Sequence, residues 1–227
     1  MLSILMPVYN ELERVETAIT EVLATELPSE FELIVVDDGS TDGTREILRA
    51  REWDDRVRIY EHAVNQGKGA AVRTALSHAA GDFAGIFDAD LEYEPADLAL
   101  LMPPLLAGRT NACFGVRAFD GYTSHSFLFV MGNRGVTLAC NMLFNVYLHD
   151  IMTCQKVIRT DIFRSLALRS QGFAIEPEIT ARLVQHGERI FEVPVQYRAR
   201  SNEEGKKLTA ADGFRVLATL LRCRLGR

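Results

Sequence analysis

Cysteine is scarce in this chain. The four present, Cys113, Cys140, Cys154 and Cys223, are scattered, with no C-x-x-C pair and no clustering with the histidines. This spacing excludes a disulfide framework and a structural zinc site, and predicts four reduced, packed thiols. Long apolar runs are also missing. None approaches the roughly 18 residues of a membrane span, so no integral membrane segment is assigned. The N-terminus enters an apolar segment at Leu2 without the basic region of a signal peptide, which predicts a cytoplasmic protein. Two phosphate-binding signatures are lacking as well. The segment "NQGKGAA" (65–71) does not have P-loop spacing, and the position three residues after Gly69 is Val72, so a dinucleotide-binding G-x-G-x-x-G is unmet.

The 227 residues are 48% hydrophobic and 25% charged, the balance of an ordinary globular chain with a sizeable core. The net charge of -6 conceals an asymmetry. Residues 196–227 hold eight basic and three acidic residues, a surplus of +5, which leaves -11 on residues 1–195. A basic tail on an acidic body predicts an anionic partner at one end of the molecule; no nucleic-acid partner is assigned.

Through residue 116, strand-like and helix-like segments alternate. Residues 2–8, 31–36, 57–60, 83–87 and 111–116 read as strands, and 11–25, 44–50, 69–79 and 95–106 as helices. That order predicts an α/β fold with a mostly parallel central sheet and helices on both faces. Ligands of such folds bind at the carboxyl ends of the strands, where the polar clusters of this sequence fall.

From Gly121 to His149 the only Asp, Glu, Lys or Arg is Arg134. Residues 127–131 and 136–148 within it are dominated by large apolar side chains. They fit either a buried core helix or an amphipathic helix at a membrane interface. Further on, 154–158 reads as a strand, 175–186 as a helix and 189–195 as a strand. The C-terminal segment opens with Thr209 and Asp212 spaced as a capping box and continues as a basic amphipathic helix to Leu225. It suits either docking on the body or a membrane surface.

Four segments carry candidate chemistry. "PVYNE" (7–11) joins the first strand to the first helix, whose free N–H groups suit an anion or a base edge. "VVDDGSTDGT" (35–44) places Asp37 and Asp38 after the second strand, where an acidic residue commonly accepts from a ribose or base. "NQGKGAA" brings Lys68 and backbone amides to a helix start. "DADLEYEP" (88–95) follows the buried-strand signature "AGIF". In an extended chain, alternate residues share a side, so Asp88, Asp90 and Glu92 are expected to project together and repel one another unless a hard divalent cation, Mg²⁺ or Mn²⁺, intervenes. Glu94, beside Pro95, is assigned to the helix N-terminus instead.

In this order and at these intervals, the segments resemble the family 2 glycosyltransferases with a GT-A fold, and within them the dolichol-phosphate mannose synthase and polyprenyl-phosphate glycosyltransferase group. The likeness runs from about residue 3 to about residue 225. It includes "DIMTCQKVIRTDIF" (150–163), "GFAIEPEITARLVQHGERIFEVPVQYRAR" (172–200) and "GKKLTAADGFRVLATLLRCRL" (205–225).

The resemblance implies one glycosyltransferase domain over 1–227. Its nucleotide-sugar and metal half would be 1–116, its acceptor half 117–200 with amphipathic helices at about 127–148, and its basic C-terminal helix 201–227. Pro7, Tyr9, Asn10, Glu11, Asp38, Gln66, Gly67, Lys68, Asp88, Ala89 and Asp90 would contact a GDP- or UDP-linked sugar. Asp88, Asp90 and Glu92 would hold the metal, and Arg117, Arg134, Arg200 and Lys206 an acceptor phosphate. Asp88, Asp90, Arg117 and Arg134 would carry catalysis, with inversion at the anomeric carbon. The sequence departs from the group at Cys154, Val116 and Lys207, where Gly, Ser and Ser are usual.

The expected reaction is transfer of mannose or glucose to a polyprenyl or dolichyl phosphate, by a protein peripheral on the cytoplasmic face of a membrane or held by a membrane-anchored partner. Alternatives are a saccharide-hydroxyl acceptor, with Asp150 or Glu176 as base, a nucleotidyltransferase, and an inactive binding module.

Overall fold

The computed structural model describes residues 1–117, 127–198 and 210–226. Its first half alternates as expected: β1 (Leu2–Val8), α1 (Val15–Ala24), β2 (Phe31–Asp37), α2 (Thr44–Ala50), β3 (Val57–Glu61), α3 (Lys68–His78), β4 (Phe83–Ile86), α4 (Asp97–Leu106) and β5 (Ala112–Arg117). The second half adds α5 (Phe127–Phe144), β6 (Lys156–Arg159), α6 (Thr160–Ser165), α7 (Ile175–Gln185), β7 (Ile190–Val195) and α8 (Ala210–Arg224).

The strands form one seven-stranded sheet in the order β3-β2-β1-β4-β6-β5-β7. β6 runs antiparallel to both β4 and β5, while the other pairings are parallel. The mostly parallel α/β architecture is therefore present. β1, β2, β4, β5 and β7 all end at one edge of the sheet, and β6 starts there. The near-continuous apolar content of β1 and β2 follows from burial on both faces. Leu5, Ile34, Val35, Ile86, Phe114 and Val157 belong to the main core. A smaller cluster of Cys140, Ile151, Val216, Leu220 and Cys223 joins α5 to α8. All four cysteines are buried and unpaired.

Several boundaries differ from expectation for local reasons. The first helix starts at Val15 because Asn10 has φ 53° and residues 11–14 form a turn closed by Glu11. The two apolar segments of 127–148 join into the single helix α5, which ends as Asn145 takes φ 51°. Past that point the Asn141 side chain pairs with both backbone groups of Leu148. α6 was not expected, since six residues are too few to show a period. The capping pair Thr209 and Asp212 falls on residues whose side chains lie outside those described, as do Arg200, Lys206 and Lys207.

Candidate active site

At the shared edge of the strands lies an open cavity of about 1160 Å³. The end of β1 and the residue after it bring Pro7, Val8 and Tyr9 to it, the turn after β2 brings Asp38, the entry to α3 brings Gly67 and Lys68, and the loop after β4 brings Asp88, Ala89 and Asp90. Glu11 and Glu92 also line it. Asn10 and Gln66 do not, and instead brace the neighbouring turns. The Asn10 carboxamide accepts from Thr41 N–H at 2.9 Å, and Gln66 N–H donates to Asp38 at 2.9 Å.

Asp38 clamps this corner. Its Oδ1 accepts from His62 Nδ1 at 2.7 Å and from Gln66 N–H, and its Oδ2 accepts from Gly67 N–H at 2.6 Å. His62 Nε2 is 2.9 Å from Thr74 Oγ1. The carboxylate therefore fixes the 65–67 turn. Gly39 permits the approach, since a Cβ there, at φ 75°, would stand 2.5 Å from Asn65 N; Gly69 serves a different contact, where a Cβ would stand 2.1 Å from Ser170 O.

The acidic segment is arranged differently from expectation. β4 stops at Ile86, and Leu91 adopts φ 60°, so the chain turns between Asp90 and Glu92 and the alternation of an extended strand fails. Asp88 Oδ2 accepts from Lys68 Nζ at 2.7 Å. Asp90 Oδ1 accepts from Glu92 N–H at 3.1 Å, and Glu92 Oε2 from the Tyr197 hydroxyl at 2.9 Å. Among the described residues, no three His, Cys, Asp or Glu side chains are already gathered as a metal cage, although Asp88, Asp90 and Glu92 all line the cavity. Asp88 and Asp90 remain at the cavity wall. Their oxygens suit a hard divalent cation that takes further oxygens from a ligand, and the ammonium on Asp88 marks a corner already built around positive charge.

Lys68 Nζ is also 2.9 Å from Glu176 Oε1. Burial alone would lower its pKa, but Asp88 and Glu176 outweigh burial and hold it well above the ordinary lysine value. Glu176 Oε2 in turn accepts from Lys156 Nζ at 2.6 Å. Burial would raise the Glu176 carboxyl, yet Lys156 and Lys68 hold it below the usual glutamate value.

Arg117 lines the cavity, but its guanidinium is paired with Asp150. Nε donates to Oδ2 at 2.6 Å and Nη2 to Oδ1 at 2.9 Å, with Asn133 completing the group. Its charge lies over the Phe129 and Tyr197 rings. Asp150 is buried, which would raise its pKa, but Arg117 keeps it lowered. Arg134, expected beside Arg117, is exposed on α5 and is not part of the wall. Three residues that sequence reasoning did not place in the wall are Tyr93, Tyr197 and Cys154. Burial pushes the Cys154 thiol well up, so it is an inert packing group.

The far wall is apolar. α5 supplies Leu128, Phe129 and Val136, and α8 supplies Phe214 and Leu217. On α5 the usual polarity is inverted. Asn133, Thr137 and Cys140 face inward, while Phe127, Leu128 and Met142 are at least 70% exposed. By length and composition α5 could cross a membrane. α8 docks on α5 and α7 through Val216, Leu220 and Cys223 and exposes Phe214, Leu221, Leu225 and its arginines.

Residues 3–167 match the family model described as Glycosyl transferase family 2. The chain is 30% identical to a dodecaprenyl-phosphate galacturonate synthase of Rhizobium johnstonii, over 97% of this chain and 65% of that protein. It is also 30% identical to glycosyltransferase AglJ of Haloferax volcanii, over 87% of this chain and 63% of that one. The chain thus spans just under two thirds of the length of these relatives. A solved structure of glucosyl-3-phosphoglycerate synthase from Mycobacterium tuberculosis, in complex with Mn²⁺, UDP and glucosyl-3-phosphoglycerate, superposes with a TM-score of 0.74 at 21% identity, covering all of this chain and 80% of that one.

Proposed function

Because the chain belongs to glycosyl transferase family 2, we propose that it moves a hexose from a GDP- or UDP-linked sugar to a polyprenyl phosphate at a membrane surface. The observation that carries this reading is the division of one cavity between a charged floor, with Lys68, Asp88 and Asp90, and an apolar wall from α5 and α8. A nucleotide sugar needs the first and a lipid chain the second. The relatives support both halves, since one is named as a dodecaprenyl-phosphate galacturonate synthase and one solved neighbour holds UDP with Mn²⁺.

Asp88 and Asp90, with Glu92, would hold Mg²⁺ or Mn²⁺ together with the donor's diphosphate. The bound ion supplies electrostatic stabilisation of the leaving diphosphate. Tyr9 and Glu11 border the nucleotide end, and the Asp38 clamp keeps the 65–67 turn in place beneath it. An acceptor phosphate has a second pKa of about 6, so it is already anionic near pH 7 and needs no base. A saccharide-hydroxyl acceptor would need one. The candidates Asp150 and Glu176 are each ion-paired and held low by buried cations, which favours the phosphate. Arg117, Arg200 and Lys206 are retained as proposed acceptor contacts. Arg134, among the exposed apolar residues of α5, would meet headgroup phosphates as that face lies in the interface. On this reading the protein would be peripheral, on the cytoplasmic face of the membrane.

Thermal-shift measurement with GDP- and UDP-hexoses and Mn²⁺ tests the donor half. Stabilisation by one nucleotide series, lost with a chelator, is expected. No stabilisation by any member of the panel would sink the reading.

A further inference from the structure

Four charges of alternating sign run from the sheet interior to the cavity, carried by four different elements. Lys156, the first residue of β6, is fully buried. Its ammonium donates to Glu176 Oε2 at 2.6 Å, to Ile151 O at 3.1 Å and to Thr153 O, and it lies over the Phe114 ring. All three N–H bonds are therefore used, which immobilises the group. Glu176, in the first turn of α7, is 2% exposed and spans between Lys156 and Lys68. Lys68, opening α3, spans between Glu176 and Asp88.

We propose that Glu176 is a positioning residue for the donor: anchored by Lys156, it keeps the Lys68 ammonium at the cavity floor, where it can serve Asp88 or a diphosphate oxygen in turn. The proposal deepens the donor site and rests on the reading of that site as one for a nucleoside diphosphate.

Two features support it. First, buried ion pairs are a weak route to stability, because desolvation offsets their attraction. A buried chain that ends at a cavity is better accounted for by what it does there. Second, the Lys68 contacts are unequal. Asp88 Oδ2 is 2.7 Å away on a side chain 19% exposed at the cavity edge, and Glu176 Oε1 is 2.9 Å away on a side chain 2% exposed. Lys68 can thus exchange Asp88 for another oxygen while Glu176 still holds its charge at the floor. Without Glu176, Lys68 would keep Asp88 as its carboxylate partner, so a cation bound by that aspartate would compete with the lysine.

The test compares wild type, Glu176→Gln and the double variant Glu176→Gln/Lys156→Met. The double variant removes opposite buried charges together and so leaves no unpaired core charge. The first readout needs no nucleotide: acylation of Lys68 by an amine-reactive ester, followed by peptide mass spectrometry. The double variant should label at least about tenfold faster than wild type at equal thermal stability, because the amine is no longer held closed. The second readout is calorimetric affinity for UDP and GDP with Mn²⁺, expected to fall about tenfold in both variants. Unchanged labelling of Lys68 in the double variant would overturn the positioning role. So would nucleotide affinity that recovers along with stability in the double variant. If wild type binds neither nucleotide, the donor reading fails, while the labelling result still decides whether Glu176 holds Lys68.

Discussion

Arg117 and Asp150 form a two-point ion pair at the cavity wall, Nε to Oδ2 at 2.6 Å and Nη2 to Oδ1 at 2.9 Å, with both side chains buried. Arg117→Ala leaves a buried carboxylate uncompensated and is expected to lose about 3–5 kcal/mol of stability. Arg117→Lys keeps the charge, loses the fork geometry and should lose less. Urea unfolding at neutral pH measures both. A loss below about 1 kcal/mol for the alanine variant would mean that Asp150 does not depend on Arg117.

Of the proposed metal ligands Asp88, Asp90 and Glu92, the third is expected to matter least, because its carboxylate is bonded to Tyr197. Asp90→Ala should abolish transfer with little change in melting temperature. Glu92→Gln should retain transfer within about tenfold, because Glu92 is bonded to Tyr197 and its amide replacement can still accept that hydroxyl. Transfer rates across a Mn²⁺ titration separate the two. If Glu92→Gln is as inactive as Asp90→Ala, Glu92 ranks equally with the two aspartates.

Asp97 links stability to pH. Burial, with a smaller push from Glu94, raises its carboxyl to about 6, against the hydrogen bond it accepts from Gln196 N–H. A raised acid pKa means that the folded protein binds the proton more tightly than the unfolded chain. Its contribution is therefore fully present below about pH 4 and lost as pH rises through about 6. Asp97→Asn mimics the protonated form. It should match wild type near pH 4 and exceed it by about 1–2 kcal/mol at pH 7.5, a difference read from thermal melts across that range. Equal stability of the two proteins at pH 7.5 would show that the carboxyl is not desolvated in the fold.

The outward face of α5 should bind membranes. Leu128 lines the cavity, but Leu138 and Met142 are exposed and outside it. Leu138→Glu together with Met142→Glu should reduce sedimentation with anionic vesicles by about tenfold or more, with no loss of stability, since about 3 kcal/mol of apolar insertion is removed. Unchanged sedimentation would leave that face without its proposed role.

How far the sequence reaches is clear from particular residues. The α/β order and the strand ends were legible, because period and turn chemistry are local signals, whereas the cavity positions of Tyr9 and Arg117 came from the family resemblance and those of Asp38, Lys68 and Asp88 from it together with charge placement at strand ends. The turn inside the acidic set was not legible, because one backbone angle, φ 60° at Leu91, interrupts the alternation, and a leucine gives no sign of it. The partners of Arg117 and Glu176 were equally hidden. Asp150 and Lys156 lie far from them along the chain, and only the antiparallel insertion of β6 between β4 and β5 brings that segment to the cavity edge. The inverted polarity of α5 was half visible: its apolar content could be read, but which face turned inward depended on Asn133 joining Arg117 and Asp150.

The central claim is transfer of a hexose to a lipid phosphate, and product analysis tests it most directly. The protein is incubated with radiolabelled UDP- and GDP-hexoses, Mn²⁺ and a polyprenyl phosphate in vesicles. The organic phase should gain a labelled lipid, formed from one donor series and absent with chelator or with Asp90→Ala. Label that reaches only water-soluble saccharides, with none on the lipid from any donor, would contradict the account.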